Sequence, residues 1–289
     1  MPSAAGLPVA IVHACLRDGR GGSPTAVLDE LPLSDDSRRR VPVLAGTSHA
    51  VFVSAHDDSA GVPAVSLRFF TAEGELPACG HGTVAALALL ARRAGRAEYG
   101  VTLRAGGRVF AGRAVRERTY VRAAFVSGPV DLREPTGIEL DLVLPALGLT
   151  SATLASGIRV ASVGRPRLLV PVAGRSSLAA LAPDFDALRT ACDRLGLLGC
   201  YVYSPPTPTG RLAARMFAPS IGVEEDIANA NSTACLAAHL AGAGVTDIAV
   251  DMGDSLGSPS TVTAEHSPSG PLIHLGGTAE VTRGVRVRP

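Results

Sequence analysis

Apolar residues alternate or run in short blocks over residues 7–16, 25–28, 51–54 and 65–70, with a Gly-rich turn at 18–24, and these blocks read as strands. Further short blocks at 101–103, 109–111, 119–125, 168–172, 248–250 and 273–275 extend the series. Two segments break from it. Val84-Ala-Ala-Leu-Ala-Leu-Leu90 is apolar on every side and rich in helix formers, which predicts a helix buried all round. Pro183 to Leu195 predicts a capped amphipathic helix: Asp184 can cap it, and Leu188, Cys192 and Leu195 share one face. The pattern is that of a mixed chain in which helices and strands alternate irregularly.

The buried helix has an echo. Asn231-Ser-Thr-Ala-Cys-Leu-Ala-Ala-His-Leu-Ala-Gly-Ala-Gly244 aligns with the stretch from Gly82 to Gly95, matching Ala85 to Ala234, Leu87 to Leu236 and Ala88 to Ala237, and each copy ends Ala-Gly, a common helix stop. Upstream, Arg68-Phe69-Phe70 is answered by Arg215-Met216-Phe217. Two matched features in the same order point to duplication. The expected halves are 1–130, with a central helix from about 82, and 131–289, with a central helix from about 231. The Pro/Gly-containing stretch 128–150 joins them, and the last strand crosses back to the first half.

Composition narrows the function classes. The chain has 289 residues, 46% hydrophobic and 18% charged, which is enough for a substantial core. A net charge of +1 without a basic stripe argues against nucleic acid as a partner. Arg92 and Arg93 end the longest apolar run before membrane-spanning length, and the first residues lack the basic head and apolar core of a signal peptide. Cys15, Cys79, Cys192, Cys200 and Cys235 are an odd set without framework spacing, as expected of reduced thiols in a cytoplasmic protein.

Pro77-Ala-Cys-Gly-His-Gly-Thr83 leads into the first central helix. Backbone N–H groups at a helix start have no intrahelical partner and favour an anion. Cys79 and His81 add two groups able to move protons. An anion seat beside such groups suggests chemistry on a small carboxylate. Metal binding is not expected, because His49, His56 and His81 lack a recognised ligand spacing and Cys79-x-His81 alone is no site. Glu73 and Glu75 read as loop scaffolding that hydrogen-bonds the helix start. No phosphate cradle or nicotinamide fingerprint is present.

Arg68-Phe-Phe-Thr-Ala-Glu-Gly-Glu-Leu-Pro-Ala-Cys-Gly-His81 resembles the first-half motif of the phenazine-biosynthesis (PhzF-like) isomerase family. Gly22-Ser-Pro-Thr-Ala-Val27 is similar to its early segment, and Arg215 to Asp226 to its second-half motif. Gly257-Ser-Pro-Ser260 and Gly276-Gly-Thr-Ala279 resemble its closing segments. The resemblance implies an α+β, diaminopimelate-epimerase-like fold: two pseudo-symmetric halves, each a curved mixed sheet or barrel around a central helix. It also implies no cofactor and a homodimer. Aligned on Phe52-Val53, His49 stands where the family has a catalytic Glu; His81 and Asp226 match family positions, and Asn231 replaces a Ser. His81, His49 and Asp226 also have plain readings as a backbone donor, a loop histidine and a helix cap.

Cys-Gly-His-Gly also resembles the first-half motif of proline racemases, and Cys79 the first thiol of diaminopimelate epimerase. The internal alignment puts the partner position at Ala228, and Cys235 lies almost two turns inside the helix, so two-thiol racemisation is unsupported. The expectation is thus a cofactor-independent isomerase of specialised metabolism that moves a proton and a double bond in a small unsaturated or amino carboxylic acid. His49, His81 and Asp226 would be catalytic, and Cys79, Gly80, Gly82, Ala230, Asn231 and Ser232 would bind substrate between the halves. The alternatives are an epimerase, dehydratase or C–C-cleaving homologue, or a binding or cyclisation-directing protein on the same fold.

Overall fold

The computed structural model of the chain describes residues 6–56, 63–150, 154–155, 157–267 and 272–289. Residues 1–5, on which the reading of the N-terminus rests, lie outside the described residues. Two compact units emerge, Met1–Val126 with Leu275–Pro289, and Ser127–His274. In chain order the first contains β1 (Leu7–Leu16), β2 (Ser23–Asp29), α1 (Asp35–Ala45), β3 (His49–His56), β4 (Ala64–Phe70), β5 (Glu75–Leu76), α2 (Gly80–Ala94), β6 (Glu98–Ala105), β7 (Arg108–Glu117) and β8 (Tyr120–Val126). The second contains β9 (Asp131–Arg133), α3 (Gly137–Ala146), β10 (Arg159–Val163), β11 (Arg165–Pro171), α4 (Arg175–Ala179), α5 (Phe185–Leu195), β12 (Cys200–Tyr203), β13 (Arg211–Ala218), β14 (Val223–Asp226), α6 (Ala230–Ala241), β15 (Asp247–Met252) and β16 (Ser260–His266). β17 (Ile273–Val287) belongs to the first unit from Leu275 onward.

The first unit closes on itself. β1 pairs antiparallel with β2, β2 parallel with β3, β3 antiparallel with β4, and β4 parallel with β6. β6, β7 and β8 continue antiparallel, β8 pairs with β17, and β17 returns to β1. α2 runs inside this ring, against β1, β2, β3, β6, β7 and β8. Val84, Ala85, Ala86, Leu87, Ala88 and Ala91 are all buried, the condition of a helix that is apolar on every face. Alanines let the strands come close. β7 carries Gly112 against the helix: a Cβ there would stand 2.9 Å from a Leu87 methyl and 2.8 Å from a Leu103 methyl, so those side chains would have to shift to admit it.

The second unit repeats the scheme. β10–β11 is antiparallel like β1–β2, β11–β12 parallel like β2–β3, and β12–β13 antiparallel like β3–β4. β13–β14 is antiparallel like β4–β5, β13–β15 parallel like β4–β6, and β15–β16 antiparallel like β6–β7. α6 takes the part of α2, with Ala234, Leu236 and Ala237 buried. α5 matches expectation: Asp184 accepts from the Ala187 N–H at 2.9 Å, and Leu188, Cys192 and Leu195 face one core.

The repeat extends to side chains. Arg68 donates from Nε and Nη2 to Glu75 at 2.8 and 2.6 Å, and its guanidinium lies 5.0 Å from the Phe70 ring. Arg215 donates from Nε and Nη2 to Glu225 at 2.9 and 2.8 Å, and lies 4.9 Å from Phe217. Glu75 thus clamps a strand pair and does not reach the helix start, and Glu73 is exposed.

The helix caps correct the expected register. Thr83 returns its N–H and Oγ1 to the Cys79 carbonyl at 2.9 and 2.8 Å, and Thr233 does the same to Asn229 at 3.1 and 3.0 Å. Thr83 is therefore the counterpart of Thr233, one residue away from the sequence alignment, and Cys79 corresponds to Asn229, not Ala228. Runs of alanine carry little register information, which is why the alignment slipped. The helices begin at Gly80 and Ala230, and α6 ends at Ala241 with Gly242 as its cap, ahead of the Ala243-Gly244 stop. Among the described residues no helix is long and apolar enough to cross a membrane.

Candidate active site

Cys79 is the N-cap residue of α2, in extended conformation (φ −145°, ψ 111°), and its thiol makes no capping hydrogen bond. It is buried, as is His81 in the first helical turn. Their separation places Cys79 Sγ 3.4 Å from His81 Nε2. Gly82 makes room for them: a Cβ there would lie 3.0 Å from both Cys79 Sγ and Val51 and 3.1 Å from Phe69. His49 opens β3, where Thr25 of β2 is its ladder partner and Thr47 Oγ1 donates to its carbonyl at 3.0 Å. Its buried ring meets the His81 ring edge-on, with centroids 4.4 Å apart and planes at 87°. Ser48 Oγ is 2.9 Å from His49 Nδ1, so Nε2 is the nitrogen left for chemistry. The structure therefore brings together His49, Cys79 and His81, flanked by Gly80 and Gly82.

Burial, and secondarily the neighbouring His81, hold His49 well below the usual histidine range. At neutral pH it is an uncharged imidazole, able to accept a proton, and its conjugate acid gives that proton back readily. The three side chains also offer one ligand atom each, all within 4.8 Å of one another. Sequence spacing concealed this set because His49 comes from a separate strand. His56, grouped with them in sequence, sits at the far end of β3 against Ser66 Oγ at 2.7 Å.

The other expected residues surround the start of α6. Asp226 ends β14, half-buried, and accepts from Asn229 Nδ2 at 3.0 Å and the Ala228 N–H at 3.4 Å. The cap of α6 is Asn229, whose Oδ1 accepts from the Ser232 N–H at 2.9 Å; neither Asp226 nor Asn231 caps the helix. Two asparagines precede this turn, and composition alone does not choose between them. Ala230 is buried and Asn231 half-buried. The Ser232 hydroxyl is turned into the core, donating to Met216 Sδ at 3.3 Å and accepting from Arg167 Nη1 at 3.2 Å. Arg167, fully buried in an apolar strand, gave no signal in the sequence, nor did Tyr201, which contacts Thr233 Oγ1 at 2.9 Å.

A family model described as phenazine biosynthesis-like protein matches residues 17–283. An uncharacterized isomerase of Deinococcus radiodurans is 28% identical over 291 residues, covering 92% of this chain and 89% of that protein. The trans-2,3-dihydro-3-hydroxyanthranilate isomerase of Pseudomonas fluorescens is 27% identical over 251 residues, 84% of each. A predicted epimerase from Pseudomonas aeruginosa superposes with a TM-score of 0.83 at 25% identity, over 98% of this chain and 99% of that one. The fold is epimerase-like, and the chain is an enzyme of the isomerase class.

Proposed function

We propose that this chain, which belongs to the phenazine biosynthesis-like family, shifts a proton and with it a double bond in a small unsaturated or amino carboxylic acid of specialised metabolism. The observation that carries the reading is the buried contact of His49 with His81, with Cys79 against the latter. His49 Nε2 takes a proton from a carbon activated by an adjacent unsaturation. The electron pair moves along the conjugated system, and the same nitrogen returns a proton further along. Burial makes the histidinium costly, so the step needs the negative charge of a bound carboxylate to offset it. The N–H groups of the first turn of α2, at Gly80, His81 and Gly82, stand at the positive end of the helix and favour such a group. His81 hydrogen-bonds and polarises the substrate. Asp226 and Asn231 assist in binding, with Ala230 and Ser232 shaping the start of α6.

A cytoplasmic homodimer belongs to the same reading. The Cys79–His81 contact also favours a second reading, an epimerase in which the thiol carries a proton. Incubation with candidate acids in deuterium oxide, followed by NMR and chiral chromatography, tests both. The isomerase moves a double bond with label at the new position, and the epimerase inverts a centre with label at that centre. An enzyme that neither moves a double bond nor inverts a centre in these acids refutes both.

A further inference from the structure

We propose that His49, Cys79 and His81 form a three-ligand site for one divalent ion of the zinc class, with a fourth position left open. Tetrahedral zinc, with S and N ligands at about 2.3 and 2.05 Å, holds those two atoms about 3.5 Å apart. Cys79 Sγ and His81 Nε2 already stand at 3.4 Å. The third ligand comes from His49: one ligand atom from each of the three residues lies within 4.8 Å of the others, and with Nδ1 facing Ser48 Oγ the proposal assigns Nε2 as the ligand. The ligands sit on firm supports: Cys79 and His81 are fixed by the start of a buried helix, and His49 by the first pairs of β3. Ser48 Oγ on His49 Nδ1 orients that ring from behind, as outer hydrogen bonds do for metal-bound histidines.

Two imidazoles and a thiolate select zinc over magnesium or calcium, which take oxygen ligands. On binding, the Cys79 thiol releases its proton to solvent and both imidazoles donate lone pairs as neutral groups. The loaded site carries one net positive charge, and its open position takes water, hydroxide or a carboxylate. The site shares its groups with the proposed proton transfer but rests on geometry alone. A protein that binds no metal overturns it and leaves the reaction standing.

The test is a Co²⁺ titration of the metal-stripped, reduced full chain under nitrogen. One equivalent is expected, with a thiolate-to-cobalt charge-transfer band in the near ultraviolet and the intense visible bands of four-coordinate cobalt, all displaced by Zn²⁺. C79S should remove the charge-transfer band. H49A and H81A should each weaken binding by at least about tenfold, and H56A should leave it unchanged. Circular dichroism establishes that each variant is folded. Should C79S fail to fold, Zn²⁺ should still protect Cys79 of the unmodified protein from iodoacetamide, as mapped by mass spectrometry. Absence of stoichiometric cobalt binding, a charge-transfer band that survives C79S, or equal alkylation of Cys79 with and without Zn²⁺ would each overturn the proposal.

Discussion

The duplicated arginine clamp contains its own control experiment. Arg215–Glu225 and Arg68–Glu75 share fork geometry and a cation–aromatic contact, yet their settings differ. The side chains of Arg215 and Glu225 are 13% and 7% exposed, against 35% and 41% for Arg68 and Glu75. Among the described residues, Glu225→Gln leaves a mostly buried guanidinium facing neutral partners, the carbonyls of Leu178 and Leu181 at 3.2 and 2.8 Å. An uncompensated buried charge of this kind costs about 3–5 kcal/mol. Glu75→Gln leaves Arg68 in contact with water and with Asp35 at 3.2 Å, and an exposed pair is worth about 0.2–1 kcal/mol. The amide oxygen that Glu225→Gln retains still accepts one hydrogen bond, which puts the first cost near about 3 kcal/mol and the difference near about 2. Urea unfolding by circular dichroism measures both. Amide exchange resolved along the chain assigns each loss to its unit, since two units need not unfold in one step. Equal costs within about 0.5 kcal/mol would refute the claim that burial, and not the shared geometry, sets the strength of the clamp.

H49A is expected to lower proton exchange by about 10²–10⁴-fold with substrate binding largely intact, and H49Q to be as inactive because an amide carries no proton; normal turnover in H49A would move the base elsewhere. In metal-free enzyme, kcat/KM should hold as pH falls through about 6.5 and drop only below it, because His49 in the fold is protonated well below the unperturbed value. The same shift has a stability consequence. The contribution is fully present above about pH 6.5 and is lost as pH falls towards the folded-state value, because the unfolded chain takes up a proton that the folded one refuses. If the three-ligand site forms, Zn²⁺ should slow proton exchange and EDTA should restore it, a competition read by initial rates at fixed substrate.

The positions of β1–β4, β6–β8, β11, β15 and the start of β17, and both central helices, were legible, because each depends on local apolar pattern; β10, β12, β13 and β16 of the second unit were not read. Nor was α1. Its sequence is polar, it contains Pro42, and it is held by features only visible when folded: the Ser34 cap, and buried Arg38 reaching Glu30 at 2.6 Å. α3 fell in the stretch read as a junction, although Thr136 and Glu139 form a full capping box. At the site, Cys79 and His81 were visible as neighbours at a helix start, whereas His49 came through resemblance alone. No periodicity says that the first residue of one strand will face the first turn of a helix thirty-odd positions later, a separation fixed by the closing of the β-ring. The reading of Asp226 as a possible cap missed that its carboxylate supports the true cap, Asn229.

The duplication also bears on the reaction. In β3, Ala50 pairs with Phe70, and in β12 its counterpart Cys200 pairs with Phe217, so the counterpart of His49 is Gly199. A Cβ on Gly199 would lie 1.9 Å from the Phe217 carbonyl oxygen, so no side chain can stand there. The cap register makes Asn229 and Asn231 the counterparts of Cys79 and His81, and amides neither take nor give protons. The second unit has therefore not kept a matching set of proton carriers. Racemisation by opposed carriers calls for two, one for each face of the substrate, whereas a double-bond shift needs one, which lifts a proton and sets it down on the same face. In the proposed reaction, with Nδ1 engaged by Ser48, His49 would carry the transferred proton on Nε2 alone, and its burial would slow exchange with water. A substrate deuterated at the donor carbon and converted in ordinary water should therefore keep part of its label at the acceptor carbon, measured by mass spectrometry at low conversion. Complete loss of label at the earliest times, with product formed at the full rate, would mean that a second group delivers the proton, and the single-base reading would fail.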